Sequence, residues 1–353
     1  MIFNRHRFNL SKFKQTIKSL LLSIMRPLAN LMSGSQGLSR LYYSVFSGQF
    51  KREQHAVLSG QRAYQKSLHT IGDSSVLLRR NIHRLEKGLI MRPRRSVFAK
   101  DYLAETLNCY SRCVAAGSVE RQEMQWAFDV LTEYFSVVDL SSPWLDKAYN
   151  QFSQLPKPAS SNDFIPYCRD EGVKSDVNYE QFLALCQQRR SVRWYRKEAV
   201  PIELIEQAVQ AASLAPSACN RQPFRFYTAV QEQQAQEIAN IAMGTVGFSH
   251  NIPAMIAVVG DLSAYPFERD RHVIYIDGSL AAMQLMLALE TLGLSTCPIN
   301  WPDLEKKERD LSKLLKLKPY ERPIMLISVG YPDPGGMIPY SHKKSPKQLI
   351  KEV

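Results

Sequence analysis

Residues 189–226 read RRSVRWYRKEAVPIELIEQAVQAASLAPSACNRQPFRF, and three different physical signals follow one another in this stretch. A basic cluster (Arg189, Arg190, Ser191, Arg193) opens it. A helix then starts at Pro201, where a missing N–H costs nothing, with Glu203 and Glu206 at the positive end of its dipole. Ile202, Ile205, Val209 and Ala212 recur at helical spacing, so one face is buried. Pro216 ends the helix and biases Ala215 away from helical angles. The loop from Ser217 to Pro223 is polar but almost uncharged, and it leads into a strand over residues 224–230.

Ser217, Asn220 and Gln222 supply hydroxyl and amide donors and acceptors, which suit the edge of a flat heteroaromatic ring. The upstream arginines suit a phosphate, because a guanidinium fork matches its oxygens. A planar heterocycle carrying a phosphate describes flavin mononucleotide (FMN). The segments RRSVR and APSACNRQPFRF together resemble the two signature segments of the nitroreductase family of FMN-dependent oxidoreductases. DGSLAAMQLMLALETLGL (277–294) followed by Ser295–Ile299 resembles that family's long central helix and flavin-facing loop. Val329–Pro332 and the basic run His342-Lys343-Lys344 resemble its last strand and phosphate-binding tail. The four segments lie in order across the C-terminal half.

The resemblance implies an α+β fold, with a nitroreductase-like mixed sheet flanked by helices. It implies that Arg189, Arg190, Ser191, Lys343 and Lys344 hold the phosphate and ribityl chain. Arg193 then stabilises the negative charge of the reduced ring. Pro216, Ser217, Asn220 and Gln222 line the pyrimidine edge. Pro298 and Ile299 cover one ring face, and the backbone N–H of Asn300 faces N5. Trp301 departs from the family pattern and is expected to narrow the substrate pocket. A homodimer with a shared site, and NADH or NADPH as donor, follow from the same resemblance. The acceptor is a small organic molecule of nitro, quinone or enone type, reduced by a ping-pong scheme. Cys297 has no implied His partner and reads as packing.

The remaining chain is harder to assign. Its 353 residues suffice for two domains. The segmentation is a helical, basic N-terminal domain over 1–160, a linker over 161–178 rich in Pro, Ser and Asp, and the FMN-binding domain over 179–353. Residues 1–100 hold 19 Lys/Arg and 3 Asp/Glu, so +16 of the net +12 sits there and the rest of the chain carries −4. Charge alone supports only non-specific contact with nucleic acid, and no nucleic-acid motif accompanies it.

Residues 1–35 carry an amphipathic stripe (Phe13, Ile17, Leu20, Ile24, Leu28, Leu31) beside lysines. Two uses fit it: a helix lying in a membrane surface, or packing on the rest of the N-terminal domain. No uninterrupted apolar run reaches the length of a conventional spanning helix. The six cysteines follow neither a metal-ligand nor a secreted disulfide spacing, which points to a cytoplasmic, reducing compartment. Cys109 and Cys113 read as two small buried side chains. The run Ser74–Leu89 reads as a helix whose basic face is solvated, with Gly88 as C-cap; the alternative use of its cluster His83–Leu89 is an anion site or a partner-docking face. Asp277 reads as the N-cap of the central helix. A competing function uses the same features differently: a flavin-binding or flavin-free accessory protein, whose basic N-terminal domain docks on a membrane or a protein partner.

Overall fold

Continuous apolar runs and helical stripes alternate through the C-terminal half, and in the computed structural model they become a four-stranded sheet sandwiched by helices. The structure describes residues 25, 27–158 and 164–353. Two compact units are present, Met1–His55 and Ala56–Val353. In the first, residues 27–32 are helical and are followed by α1 (Gln36–Leu41) and a single π-turn, Tyr42–Phe46. The apolar stripe expected over residues 1–35 falls mostly outside the described residues. Helix α2 (Lys51–Ser67) carries the chain from one unit into the next.

The second unit continues with α3 (Val76–Leu89), α4 (Leu103–Ala116), α5 (Arg121–Val137) and α6 (Pro143–Ser153). These four share a hydrophobic core of their own. Leu77, Leu78, Ile82 and Leu85 on α3 are buried, each contributing about 2 kcal/mol through the apolar area removed from water. Ser75 caps α3 by accepting from the Leu78 N–H at 3.3 Å. The C-cap reading of Gly88 is corrected. The helix runs on to Leu89, and Gly88 is where the Phe98 ring meets the helix, since a Cβ there would lie 2.2 Å from Phe98 Cε2. Cys109 and Cys113 are both buried, as expected. The described part of the expected linker, residues 164–178, falls in the range of the second unit.

Then come α7 (Tyr179–Gln188), α8 (Ile202–Ala212), β1 (Phe224–Ala229), α9 (Glu232–Ile241), β2 (Ala254–Asp261), α10 (Val273–Thr291), β3 (Ser295–Asn300), α11 (Glu305–Leu315) and β4 (Glu321–Gly330), with a last turn, α12 (Pro346–Leu349). The strand order is β1-β2-β4-β3. All pairs are antiparallel. The sheet is therefore antiparallel, and parallel pairing is limited, among the described residues, to the isolated bridge Ser191–Thr296 beside it. Strand β2 shows why this sheet needs two helical layers. Ala254, Ile256 and Val258 enter a core with Ile205 of α8 and Leu285 of α10. Met255, Ala257 and Val259 enter another with Ile238 of α9 and Leu311 of α11. Alternate side chains leave opposite faces of a strand, so a strand apolar throughout is covered on both sides.

Helix α10 begins four residues earlier than its apolar run suggests, at Val273. Asp277 therefore sits inside the helix and is not its N-cap. Gly278 allows close approach to the sheet: a Cβ there would lie 2.4 Å from Ile324 Cδ1. The helix is not buried all round, because Ile276, Leu280 and Met283 are exposed along one face. By length and hydropathy α10 with its preceding turn (Glu268–Thr291) is the one candidate span among the described residues; here it packs on α8 and the sheet.

Candidate active site

The basic cluster forms one edge of the sheet. Arg189 caps α7, its backbone N–H donating to Leu185 O at 3.0 Å. Val192 N–H donates to Thr296 O at 3.0 Å, and this laces the segment onto β3. The Tyr195 hydroxyl lies 2.8 Å from Ser328 Oγ and donates to Val192 O at 2.7 Å, a buried anchor under the cluster. Arg190 donates to the carbonyls of Pro339 and Tyr340. It thereby draws the C-terminal tail, with exposed Lys343 and Lys344 just beyond, onto the arginine edge. The tail is thus tied to the arginine edge two residues before its basic run, by a contact spanning 150 residues of sequence.

Arg193 donates to Ser191 O at 3.3 Å, and Asn251 Nδ2 fixes the Arg193 carbonyl at 3.0 Å. Two buried polar atoms at this edge lack any partner: Arg189 Nε and Thr296 Oγ1. Thr296 is bridged to Ser191, two residues past Arg189. Buried polar groups are usually satisfied, so both atoms stand out where the cluster is laced onto β3.

The segment expected to be a loop over 297–300 is the edge strand β3. An edge tolerates Pro298, which has no N–H to donate. Pro298 and Ile299 were expected to share a ring face, but neighbours on a strand point to opposite faces. Ile299 is buried in the core with Tyr195, while Pro298 is half-buried and Asn300 exposed. Trp301 was expected to narrow the substrate pocket. It is buried, and its indole N–H donates to Glu308 Oε1 at 2.7 Å. Burial raises the Cys297 thiol above its ordinary value against the opposing pull of Arg193, Ser191 and Arg189. It stays protonated and acts as packing.

The loop from Pro216 to Pro223 is tightly wound. Cys219, Asn220 and Gln222 all have positive φ, near 50°, a conformation that costs non-glycine residues about 1–3 kcal/mol each. Several contacts hold it. Ala218 N–H donates to Asp277 Oδ2 at 2.9 Å, and Gln222 N–H to Ser217 Oγ at 3.1 Å. Arg79 of α3 donates from Nε to Asn220 O at 2.9 Å and from an Nη to Gln222 Oε1 at 3.0 Å. Gln222 Nε2 in turn donates to Ser213 O at 2.7 Å. The Gln222 amide, a candidate for the ring edge, is thus committed to bracing the loop. The Asn220 side chain makes no hydrogen bond among the described residues, and the Ser217 hydroxyl proton remains available. Pro216 is exposed beside them.

The loop belongs to a broad groove of about 1220 Å³ that also takes in Arg79, Trp126, Tyr167 and Phe226. No hydrogen bond or ion pair among the described residues links the loop to the arginine edge of the same chain.

Sequence reading missed three residues here. Arg79 was hidden in a basic run on a helix, and its acceptors lie 141 and 143 residues away. Glu123 accepts from Arg79 at 2.9 Å. Asp277 was visible but given the wrong task. Burial raises its carboxyl above the ordinary value, opposed by the Ala218 N–H, Tyr265 and Arg221. Among the described residues no cluster of three or more His, Cys, Asp or Glu suits a metal.

The nitroreductase family model matches residues 186–249 and 228–331. A putative NADH dehydrogenase/NAD(P)H nitroreductase of Archaeoglobus fulgidus is 30% identical over 155 residues, covering 43% of this chain and 86% of that protein. An iodotyrosine deiodinase of Haliscomenobacter hydrossis is 28% identical over 228 residues, covering 53% of this chain and 95% of the relative. Among solved structures, a putative NADH dehydrogenase/NAD(P)H nitroreductase of Parabacteroides distasonis is 24% identical, covers 49% of this chain and 97% of that one, and has a TM-score of 0.43. The family match and the relatives of oxidoreductase name support an enzyme of the oxidoreductase class. The chain belongs to the nitroreductase family through its C-terminal half.

Proposed function

We propose that the protein is an FMN-dependent oxidoreductase that passes hydride from NADH or NADPH to a small organic acceptor of nitro, quinone or enone type in a ping-pong scheme. The observation that carries this reading is the pair of orphaned buried donors, Arg189 Nε and Thr296 Oγ1, at an edge onto which Arg190 draws the basic tail. A phosphate supplies the acceptors those donors lack. Arg189, Arg190 and Ser191 hold it, with Lys343 and Lys344 closing over it from the tail. When bound, FMN supplies hydride acceptance and donation.

The chain's own residues shape that chemistry. Arg193 places a fixed cation where negative charge develops on the ring, and its carbonyl anchor to Asn251 limits reorganisation. Pro298 and the Asn300 backbone border the ring. Pro216, Ser217 and Asn220 present the hydrogen-bonding loop, while Gln222 braces it. Among the described residues no hydrogen bond or ion pair joins the arginine edge to this loop, which fits a homodimer in which the loop of one subunit completes the arginine edge of the other. The exposed stripe Ile276, Leu280 and Met283 on α10 offers the apolar surface for that association.

The deiodinase relative, matched over nearly its whole length, favours a second class of acceptor, a halogenated aromatic ring. Iodide release from an iodinated phenol, compared with reduction of a nitroaromatic and a quinone, separates the two. The reading as a whole is tested by the absorbance of the purified full-length protein with and without added FMN, followed by anaerobic NADH and NADPH. Flavin bands that bleach with a nicotinamide are the expected result. Absence of flavin binding would sink it in favour of an accessory role. In Arg193→Ala the flavin binds more weakly or is harder to reduce; unchanged flavin content, potential and turnover would remove Arg193 from the site.

A further inference from the structure

A second cavity, of about 360 Å³, lies on the other flank of the Pro216–Pro223 loop and is distinct from the arginine edge. Its walls are the basic face of α3, residues 218–221 of the loop and the turn 265–270 before α10. Five cations line it (Arg80, Arg84, Lys87, Arg221 and Arg269) against one carboxylate, Asp270. Arg269 leans toward that carboxylate at 3.8 Å. Three of the others, Arg80, Arg84 and Arg221, are held by groups that orient a guanidinium without neutralising it. Arg84 stacks on the Tyr102 ring at 3.6 Å, and Arg221 stacks over Tyr265 at 4.9 Å. Arg80 donates to the neutral Asn81 side chain at 3.2 Å.

Arg221 is the telling residue. It is only 9% exposed, its Nε is buried without a hydrogen-bond partner, and no carboxylate among the described residues lies within ion-pair distance of it. The Asp277 carboxyl acts on it only through space, without a direct ion pair; holding a guanidinium out of water without one is costly, and an anion in the cavity beside it offsets that cost. A carboxylate offers two oxygens and one charge. Five converging cations suit a ligand with more of both, and arginine forks match phosphate oxygens.

We propose that this cavity is a binding site for a phosphorylated small molecule, a phosphomonoester or diphosphate, built jointly by α3 of the helical region and the loop 218–221. The assignment stands on the cavity alone and does not depend on the flavin reading. It gives the N-terminal helical region a task at the site: α3 supplies three of the cations, and its Arg79 braces the same loop from the neighbouring groove.

The test is calorimetric titration of the full-length protein, in the presence of excess FMN, with pyrophosphate, inorganic phosphate and acetate. Expected is saturable binding of pyrophosphate, weaker binding of phosphate and none of acetate. Arg221→Gln should weaken pyrophosphate binding by about tenfold or more, the loss of one charge-assisted contact. Because Arg221 is buried, the double variant Lys87→Gln/Arg269→Gln, at two exposed positions, supplies the fold-neutral arm and should weaken it similarly. Arg189→Gln, at the other basic site, should leave pyrophosphate binding unchanged. Absence of saturable binding, acetate binding as well as pyrophosphate, or a loss in Arg189→Gln with none in the Lys87/Arg269 variant would each overturn the proposal.

Discussion

Arg79 distributes one guanidinium over three acceptors: Glu123, the Asn220 carbonyl and the Gln222 side chain. Glu123 is itself buried and also accepts from the Ser74 hydroxyl and the Ser75 N–H. Arg79→Ala would leave a buried carboxylate without its cation and two loop acceptors unpaired. The expected loss is about 3 kcal/mol, read as a shift in the urea midpoint. Arg79→Lys should recover only part of it, because an ammonium has no planar fork to reach three acceptors at once. A loss below about 1 kcal/mol would mean that the pair behaves like a solvated surface bridge. None of this was legible in the run LLRRNIHRLEKGL. The residue type was visible, but which face of α3 is covered, and by what, depends on chain far away in sequence.

At the scale of elements, α10 does two jobs. It packs on the sheet through Gly278 and presents Asp277 to the loop before β1. The Asp277 carboxyl is buried, with Tyr265, Arg221 and the Ala218 N–H around it, and burial raises it above its ordinary value of 3.8. The folded protein therefore keeps this proton at pH values where the unfolded chain has released it. In that window the folded state binds more protons, so stability from this group is full below the ordinary value and falls as pH rises through the raised one. In Asp277→Asn the amide oxygen still accepts from Ala218, and that fall is absent. Denaturation curves across the carboxylate range check this; identical pH profiles for the two proteins would show that Asp277 is ionised throughout. Most helices and strands could be read from sequence, several with their termini, because apolar spacing and Pro or Gly punctuation are local signals. The start of α10 could not, because the turn ahead of it, YPFERDRH, is polar while the helix it opens is apolar.

At the scale of the molecule, no hydrogen bond or ion pair among the described residues joins the loop to the arginine edge, and a stripe of exposed apolar side chains lies along α10. Leu280→Glu places a charge in the middle of that stripe. The protein is expected to sediment as a dimer and the variant as a monomer with reduced flavin content. A wild-type monomer retaining full flavin would overturn the shared-site arrangement. The helical region shares one compact unit with the sheet. Arg79 and the cationic wall of α3 are its contacts with the loop before β1.

The sequence by itself determined the family, the order of the elements in the C-terminal half and the residue types of the arginine edge. These rest on local spacing and on short motifs whose chemistry is carried within a few residues. Only the tertiary structure decided which of those residues are free to meet a ligand. It committed Gln222 to a brace, buried Ile299 and Trp301, moved Asp277 from cap to anchor, and left Arg189, Thr296 and Arg221 with unsatisfied donors. Hydrogen-bond satisfaction and burial are properties of neighbours in space, and the neighbours here lie tens to hundreds of residues apart along the chain.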